Sequence, residues 1–167
     1  TQVNILLNYN RKKEIILTKI VKELLTKMGF KIIRVSIEAL KDCNKYADIT
    51  AEDKNGVKYL VEIKAYREDY GITKREFSQL LRYMKKEEIN QGIYITTSNT
   101  KKCNFENIKF INGNALIELL KINELDIYLT ALEIIVCDQH HEDKLYIFVV
   151  RSLLIRALLI RVLLVRI

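Results

Sequence analysis

The stretch ADITAEDKNGVKYLVEIK, residues 47–64, decides the fold of this chain. Two runs rich in β-branched and apolar residues, 47–52 and 57–64, flank a polar turn at residues 53–56. The turn contains Asn55-Gly56, and an Asn-Gly pair between two such runs is a strong signal for a β-hairpin. The sequence therefore predicts two adjacent antiparallel strands, in each of which side chains two residues apart share a face of the sheet.

Three charged side chains of this hairpin form a candidate site. Glu62 and Lys64 are expected to project from one face of the second strand, while Ile63 points into the core. Asp48, at the start of the facing strand, can reach that pair. Two carboxylates beside one ammonium need compensation, and Mg²⁺ commonly binds through one or two carboxylates together with water and phosphate oxygens. The alternative is a solvated, charge-paired strand face, with Asp48 acting only as a turn residue.

Apolar periodicity and turn residues on either side of the hairpin predict an α/β fold. Helical spacing indicates helices over residues 11–28, 73–88 and 115–121, and Gly29 is expected to end the first as a C-cap. Strand-like runs occur at residues 30–37, 92–98 and 108–111. The resulting order, α-β-β-β-α-β-β-α, predicts a mixed central sheet flanked by helices. A chain of 167 residues is long enough to bury a sizeable core as one domain.

Several stretches, taken in order, resemble a known group of enzymes. They are LLTKMGF at 24–30, ADI at 47–49, VEIKAY at 61–66, ITTS at 95–98 and IKFINGNALIELL at 108–120. Together they span about residues 13–121, and they resemble the PD-(D/E)xK nuclease superfamily, in particular its Mrr-like restriction endonuclease domains. Archaeal Holliday-junction resolvases share the same core. The resemblance implies a restriction-endonuclease-like α-β-β-β-α-β core and a metal-dependent endonuclease that acts on DNA.

The resemblance also implies roles for individual residues. Asp48 and Glu62 would hold one or two Mg²⁺ or Mn²⁺ ions, with the backbone carbonyl of Ile63 as a further oxygen ligand. Lys64 would orient the attacking water or help to deprotonate it. Gln79, on the helix after the hairpin, corresponds to a glutamine that many of these nucleases place beside the site.

The chain departs from the family pattern at the first helix. Many members carry a glutamate eleven residues before the Gly-aromatic pair, and that position is Thr18 here. Glu14 and Glu23 flank it, and Glu14, one turn earlier on a similar helix face, is the preferred additional metal ligand. Residues 41–46 also replace the glycine-rich segment that usually precedes the family aspartate.

Charge is consistent with a nucleic-acid partner. The net charge is +7 and the sequence pI is about 9.2, which suits a polyanion. Lys74, Arg75, Lys101 and Lys102 are the candidate nucleic-acid-binding residues, because Lys and Arg contacts to phosphate dominate such affinity. For any single basic pair, an ordinary solvated surface is the simpler interpretation.

Two other functions stay open from the sequence. A junction resolvase would require a two-fold homodimer that presents two sites to a branched substrate. A nucleic-acid-binding module with a vestigial site would explain Thr18 in place of the family glutamate.

The sequence predicts three segments along the chain. We expect a nuclease domain over residues 1–121, a connecting segment of undecided structure over 122–143, and an apolar tail over 144–167. In the tail an arginine recurs every five residues, at Arg151, Arg156, Arg161 and Arg166. This spacing places arginines on all sides of a helix, which disfavours a conventional membrane span.

The cysteines and histidines carry weaker signals. Cys43, Cys103 and Cys137 are scattered and odd in number, which argues against a disulfide framework or a zinc site. Together with an N-terminus that lacks the apolar core of a signal peptide, they favour a reducing intracellular compartment that contains DNA. His140-His141-Glu142-Asp143 is interpreted as a polar surface loop rather than a metal site.

Overall fold

The computed structural model of the protein describes residues 2–36, 46–101 and 105–136. Its elements in chain order are α1 (Gln2–Lys27), β1 (Lys31–Val35), β2 (Ile49–Glu52), β3 (Lys58–Lys64), a 3₁₀ turn (Lys74–Phe77), α2 (Ser78–Glu87), β4 (Gln91–Thr96), β5 (Ile108–Ile111), α3 (Gly113–Ile122), a second 3₁₀ turn (Asp126–Tyr128) and α4 (Leu129–Val136). The predicted α/β fold with a restriction-endonuclease-like core is confirmed.

The hairpin forms where the Asn-Gly turn predicts it. The Asp53 Oδ1 atom accepts hydrogen bonds from the backbone N–H groups of Asn55 and Val57, each at 2.9 Å. Gly56 has φ +80°, a left-handed conformation that glycine adopts without steric cost. This turn aligns β2 with β3 in antiparallel register, with Ile49 opposite Val61.

Five strands form one mixed sheet in the order β1-β2-β3-β4-β5. The pairs β1-β2 and β2-β3 are antiparallel, whereas the pairs β3-β4 and β4-β5 are parallel. The parallel pairing places Glu62 opposite Tyr94 and Lys64 opposite Thr96. Polar groups at the carboxyl end of β3 are therefore bordered by the end of β4.

Helices cover both faces of the sheet. One core contains α1, α3 and α4 packed on side chains such as Ile49, Val61 and Ile63. The other contains α2 packed on Leu60 and Tyr94. Because alternate residues of β3 face opposite ways, Leu60, Glu62 and Lys64 lie on the α2 side. Glu62 and Lys64 share one face of the strand, as predicted.

Most element boundaries agree with the sequence prediction to within two residues, and two elements differ more. The first helix ends at Gly29 as predicted: Phe30 N–H donates to the Leu25 carbonyl at 2.9 Å and Gly29 N–H to that of Thr26 at 3.1 Å. This helix, however, begins at Gln2 rather than at residue 11. The second predicted helix opens with a 3₁₀ turn, at the start of which Thr73 and Glu76 form a capping box.

The segment after residue 121 is helical as far as it is described. Ala131, Leu132 and Ile135 of α4 belong to the same apolar core as α1. Along the described part of the chain, none of the helices is both long enough and apolar enough to cross a membrane. Cys43, Cys103, Cys137, residues 140–143 and the arginine-periodic tail 144–167 lie outside the described residues.

Candidate active site

Glu62 and Lys64 form a buried ion pair on β3. The Lys64 Nζ atom lies 2.8 Å from Glu62 Oε1, and Glu62 is only 1 % exposed. The second carboxylate oxygen, Oε2, is buried and has no hydrogen-bond partner among the described residues. A buried carboxylate oxygen without a partner is costly, so this atom is suited to accept a further cation.

Asp48 lies immediately before β2 and faces the same end of β3. Its Oδ2 atom accepts a hydrogen bond from the Ile63 backbone N–H at 2.7 Å. Ser36 fixes the adjoining backbone, donating from its N–H to the Asp48 carbonyl at 2.9 Å and from its Oγ to the Ala47 carbonyl at 2.6 Å. Asp48 is therefore held beside Ile63, the residue that separates Glu62 from Lys64 in the sequence.

The carboxylic acids of the site hold protons more tightly than usual. Burial, and then the nearby Glu62 charge, raise the pKa of Asp48 from 3.8 to about 7, against the opposing effects of Lys64 and the Ile63 N–H. Burial also raises the pKa of Glu62, although Lys64 and Arg82 act to lower it. A carboxyl that keeps its proton near neutral pH chiefly because it is buried would ionise more readily beside an additional cation.

Lys64 stays an ammonium ion in this environment. Burial lowers its pKa, but the Glu62 carboxylate, the hydrogen bond to it and the charges of Asp48 and Glu14 outweigh burial and raise the pKa overall. Lys64 is therefore a fixed positive charge and hydrogen-bond donor at neutral pH.

Helix α1 brings Glu14 within electrostatic reach of this pair. Burial raises the pKa of Glu14, Lys64 lowers it and Glu62 raises it. Thr18, at the family's glutamate position, is 2 % exposed and donates to the Glu14 carbonyl at 2.7 Å. Glu14 therefore acts on Asp48 and Lys64 through its charge, although more weakly than Glu62 does.

The donor set for a metal ion is small. No three Asp, Glu, His or Cys side chains in the described ranges converge closely enough to hold a cation by themselves. The available oxygens are the carboxylates of Asp48 and Glu62 and the backbone carbonyl of Ile63. Two carboxylates with a carbonyl and water suit Mg²⁺, and the unpaired Glu62 Oε2 fits such an ion.

The helix after the hairpin acts on the site through the charge of Arg82, whereas the contact of Gln79 is with Tyr83. Gln79 is half-buried on α2, and its Nε2 atom donates to the Tyr83 hydroxyl at 3.0 Å. Arg82 lies one turn further along α2, and its charge lowers the pKa of Glu62. Arg82 was not selected from the sequence; its i+3 spacing from Gln79 was the available signal.

Tyr94 was also missed from the sequence. It is fully buried opposite Glu62, and its hydroxyl lies beside that of Tyr66. Burial, and then the neighbouring Tyr66 hydroxyl, raise the pKa of Tyr94. Only the register of the parallel β3-β4 pair places it there, and the sequence does not reveal that register.

The predicted nucleic-acid-binding residues lie on the surface where they are described. Lys74 and Arg75 are exposed on the first 3₁₀ turn, and Lys101 is exposed beyond β4. Lys102 lies outside the described residues.

Comparison with known proteins relates most of the chain to one family. Residues 14–125 match the family model Mrr_cat, described as a restriction endonuclease. The matched range contains Glu14, Asp48, Glu62, Lys64 and Gln79. A search of curated proteins finds no match.

Proposed function

Because this chain belongs to the Mrr_cat restriction endonuclease family, we propose that it is a metal-dependent endonuclease that hydrolyses phosphodiester bonds in DNA. The observation that carries the proposal is the buried, unpaired Oε2 of Glu62, next to Lys64 and on the same end of the hairpin as Asp48. An ion pair with a purely structural role would not explain why the second oxygen of the Glu62 carboxylate is buried without a partner.

The charges of the site favour a divalent ion. Asp48, Glu62 and Glu14 against the single ammonium of Lys64 leave a formal charge of −2 when all four are ionised. Asp48 and Glu62 would hold Mg²⁺ or Mn²⁺, with the Ile63 carbonyl as a further ligand. Glu14, which was the candidate for another ligand, does not converge with both carboxylates and would act on the ion through its charge. When bound, such an ion neutralises charge on the scissile phosphate and orients the nucleophile.

Lys64 supplies a positive charge to the site from the protein itself. Since Glu62 holds it as an ammonium ion, its role as a donor to the attacking water or to a phosphate oxygen is favoured over a role as a base. Such a preorganised donor stabilises the negative charge that develops as the phosphodiester is attacked. Gln79 and Arg82, from α2, border the same face and are suited to contact the DNA strand near the scissile bond.

Plasmid cleavage tests this proposal directly. Wild-type protein should nick supercoiled DNA in the presence of Mg²⁺ or Mn²⁺, and Glu62→Gln and Lys64→Met should each abolish nicking. Glu52→Gln and Lys58→Met are matched controls, because Glu52 and Lys58 face each other across the same hairpin, at the end that is far from the site. Equal nicking by all five proteins would indicate a contaminant. DNA binding without cleavage under any metal would instead support a vestigial binding module.

Metal binding has its own readout, independent of activity. Adding Mg²⁺ to the metal-free protein should raise its Tm, and the rise should be larger at pH 8 than at pH 6. The reason is that Asp48, with a pKa of about 7, must lose its proton before it binds a cation. Glu62→Gln should remove the shift, and Glu52→Gln should keep it. A wild-type Tm that does not respond to either Mg²⁺ or Mn²⁺ would refute the metal site.

A further inference from the structure

We infer that the stacked side chains of Tyr66 and Tyr70 are a platform for one unpaired nucleobase, so that the substrate class is DNA with a base splayed out of the helix beside the scissile phosphate. This inference rests on the proposed nuclease function and specifies the substrate of that same site. Neither tyrosine is needed for the hydrolytic step itself.

The two rings form a defined stack next to the ion pair. Their centroids are 4.2 Å apart, and their planes are inclined by 27°. Tyr66 follows Lys64 by two residues and is half-buried, whereas Tyr70 is 39 % exposed. The stack therefore runs from the edge of the candidate active site out to solvent.

The loop that carries the rings is fixed by polar contacts at the end of β4. Thr97 Oγ1 donates to the Tyr66 carbonyl at 2.5 Å, and Ser98 Oγ donates to the Tyr70 carbonyl at 2.5 Å. Between them, Asn99 donates to Glu68 through its backbone N–H at 2.9 Å. Binding on a rigid surface loses less conformational entropy than binding on a mobile loop.

The outer ring is also fixed in orientation. The Tyr70 hydroxyl donates to Glu76 Oε1 at 3.2 Å. The other oxygen of Glu76 accepts from the Thr73 backbone N–H at 2.9 Å as part of the capping box. Hydrogen bonds from the end of β4 to backbone carbonyls already hold the loop in place. Two stacked rings that extend to solvent are therefore not needed to hold the loop.

Cationic groups flank the stack at both ends. The Lys64 charge acts on Tyr66. The Arg75 charge acts on Tyr70 beside the stronger influence of Glu76, whose carboxylate accepts the hydrogen bond of the Tyr70 hydroxyl. A base on the rings would thus have a positive charge available on either side for the phosphates of its own strand. Aromatic rings combined with basic residues are the usual composition of surfaces that bind unpaired nucleotides.

The chemistry of stacking selects the substrate. Both faces of a base inside a duplex are covered by its neighbours, so a protein ring can stack only on a base that has left the helix. Stacking accepts any base, since each has a π-face. The platform therefore favours mismatched, branched or single-stranded regions over a fully paired duplex, without a sequence preference of its own.

Binding in Ca²⁺, without added Mg²⁺ or Mn²⁺, tests the inference. The probes are two fluorescent duplexes that are identical except for one unpaired base in the second. Wild-type protein should bind the second about 5- to 150-fold more tightly, the range that corresponds to the stacking of one base. Tyr70→Leu should lose this preference with unchanged affinity for the paired duplex, and Tyr70→Phe should retain it. Equal preference in wild type and a folded Tyr70→Leu would overturn the inference.

A second measurement uses only the wild-type protein. With 2-aminopurine as the unpaired base, stacking on the rings should quench its fluorescence on binding, and quenching should be absent when the analogue is paired. No quenching at saturating protein would overturn the platform even if Tyr70→Leu failed to fold. Cleavage of both duplexes in Mg²⁺ without preference would overturn the platform and leave the nuclease intact. Preference in binding without any cleavage would overturn the nuclease alone.

Discussion

The carboxyl group of Asp48 is subject to two opposing influences. Burial and the Glu62 charge favour its neutral form, while Lys64 and the Ile63 N–H favour the carboxylate, and the first two prevail. The consequence is a proton that is held in the folded protein and released by the unfolded chain. In the proposed enzyme a divalent ion would replace this proton, which links the stability of the metal-free protein to its function.

The metal-free protein should lose stability as pH rises from about 4 to 7. Over this window the unfolded chain, with Asp at its ordinary pKa of 3.8, has released a proton that Asp48 still holds in the folded state at a pKa of about 7. The free energy of unfolding then falls with pH, by at most about 1.4 kcal/mol per pH unit for this one group. Asp48→Asn should flatten the curve measured by urea denaturation.

The matched control is Asp69→Asn, an exposed aspartate on the loop after β3. Its stability curve should run parallel to that of the wild type. Parallel curves for Asp48→Asn and the wild type would show that the proton is not held by Asp48.

At the scale of secondary structure, the site depends on how β4 ends. Thr97, Ser98 and Asn99 fasten the loop after β3, and the same residues support the start of α3, where Gly113 N–H donates to the Ser98 carbonyl at 2.8 Å. One short polar segment therefore connects the β3 loop with α3. A disturbance at the start of α3 is expected to reach the Tyr66–Tyr70 stack.

Gly113→Ala should destabilise the protein by about 1–3 kcal/mol, the usual range for overpacking a filled site. A Cβ atom at this position would lie 2.4 Å from the Thr97 carbonyl oxygen and 2.7 Å from Asn99 Oδ1, so backbone must move. Gly71→Ala is the control, because a Cβ there meets nothing within 4 Å. Chemical denaturation measures both. A Gly113→Ala variant as stable as Gly71→Ala would contradict the tight contact.

Sequence patterns predicted where these elements lie in the chain better than they predicted which residues of different elements are in contact. The Asn-Gly turn fixed the hairpin because its signal is local, and β5 was predicted at its observed bounds. The 3₁₀ turn before α2 was missed, although Thr73 and Glu76 have the spacing of a capping box. Neither the approach of Tyr94 to Glu62 nor that of Arg82 could be predicted, because both depend on how the chain crosses from β3 to β4.

At the scale of the whole molecule, both helical layers act on the end of β3. Glu14 comes from α1, which packs on one face of the sheet, and Arg82 comes from α2, which packs on the other. The hairpin spacing and the resemblance selected Asp48, Glu62 and Lys64 as candidates from local motifs, and helix spacing selected Glu14. The burial of Glu62, which leaves Oε2 without a partner, follows only from the assembled fold.

DNA affinity should depend on salt through the exposed basic residues of the turn before α2. If Lys74 and Arg75 each bind one phosphate, Lys74→Gln and Arg75→Gln should each reduce the slope of log affinity against log salt by about 1. Lys58→Gln is the control, since this exposed lysine lies at the opposite end of β3 from the site. Fluorescence anisotropy of a labelled duplex across a salt series gives the slopes. An unchanged slope in both variants would exclude this turn from the DNA interface and place the bound strand elsewhere on the protein.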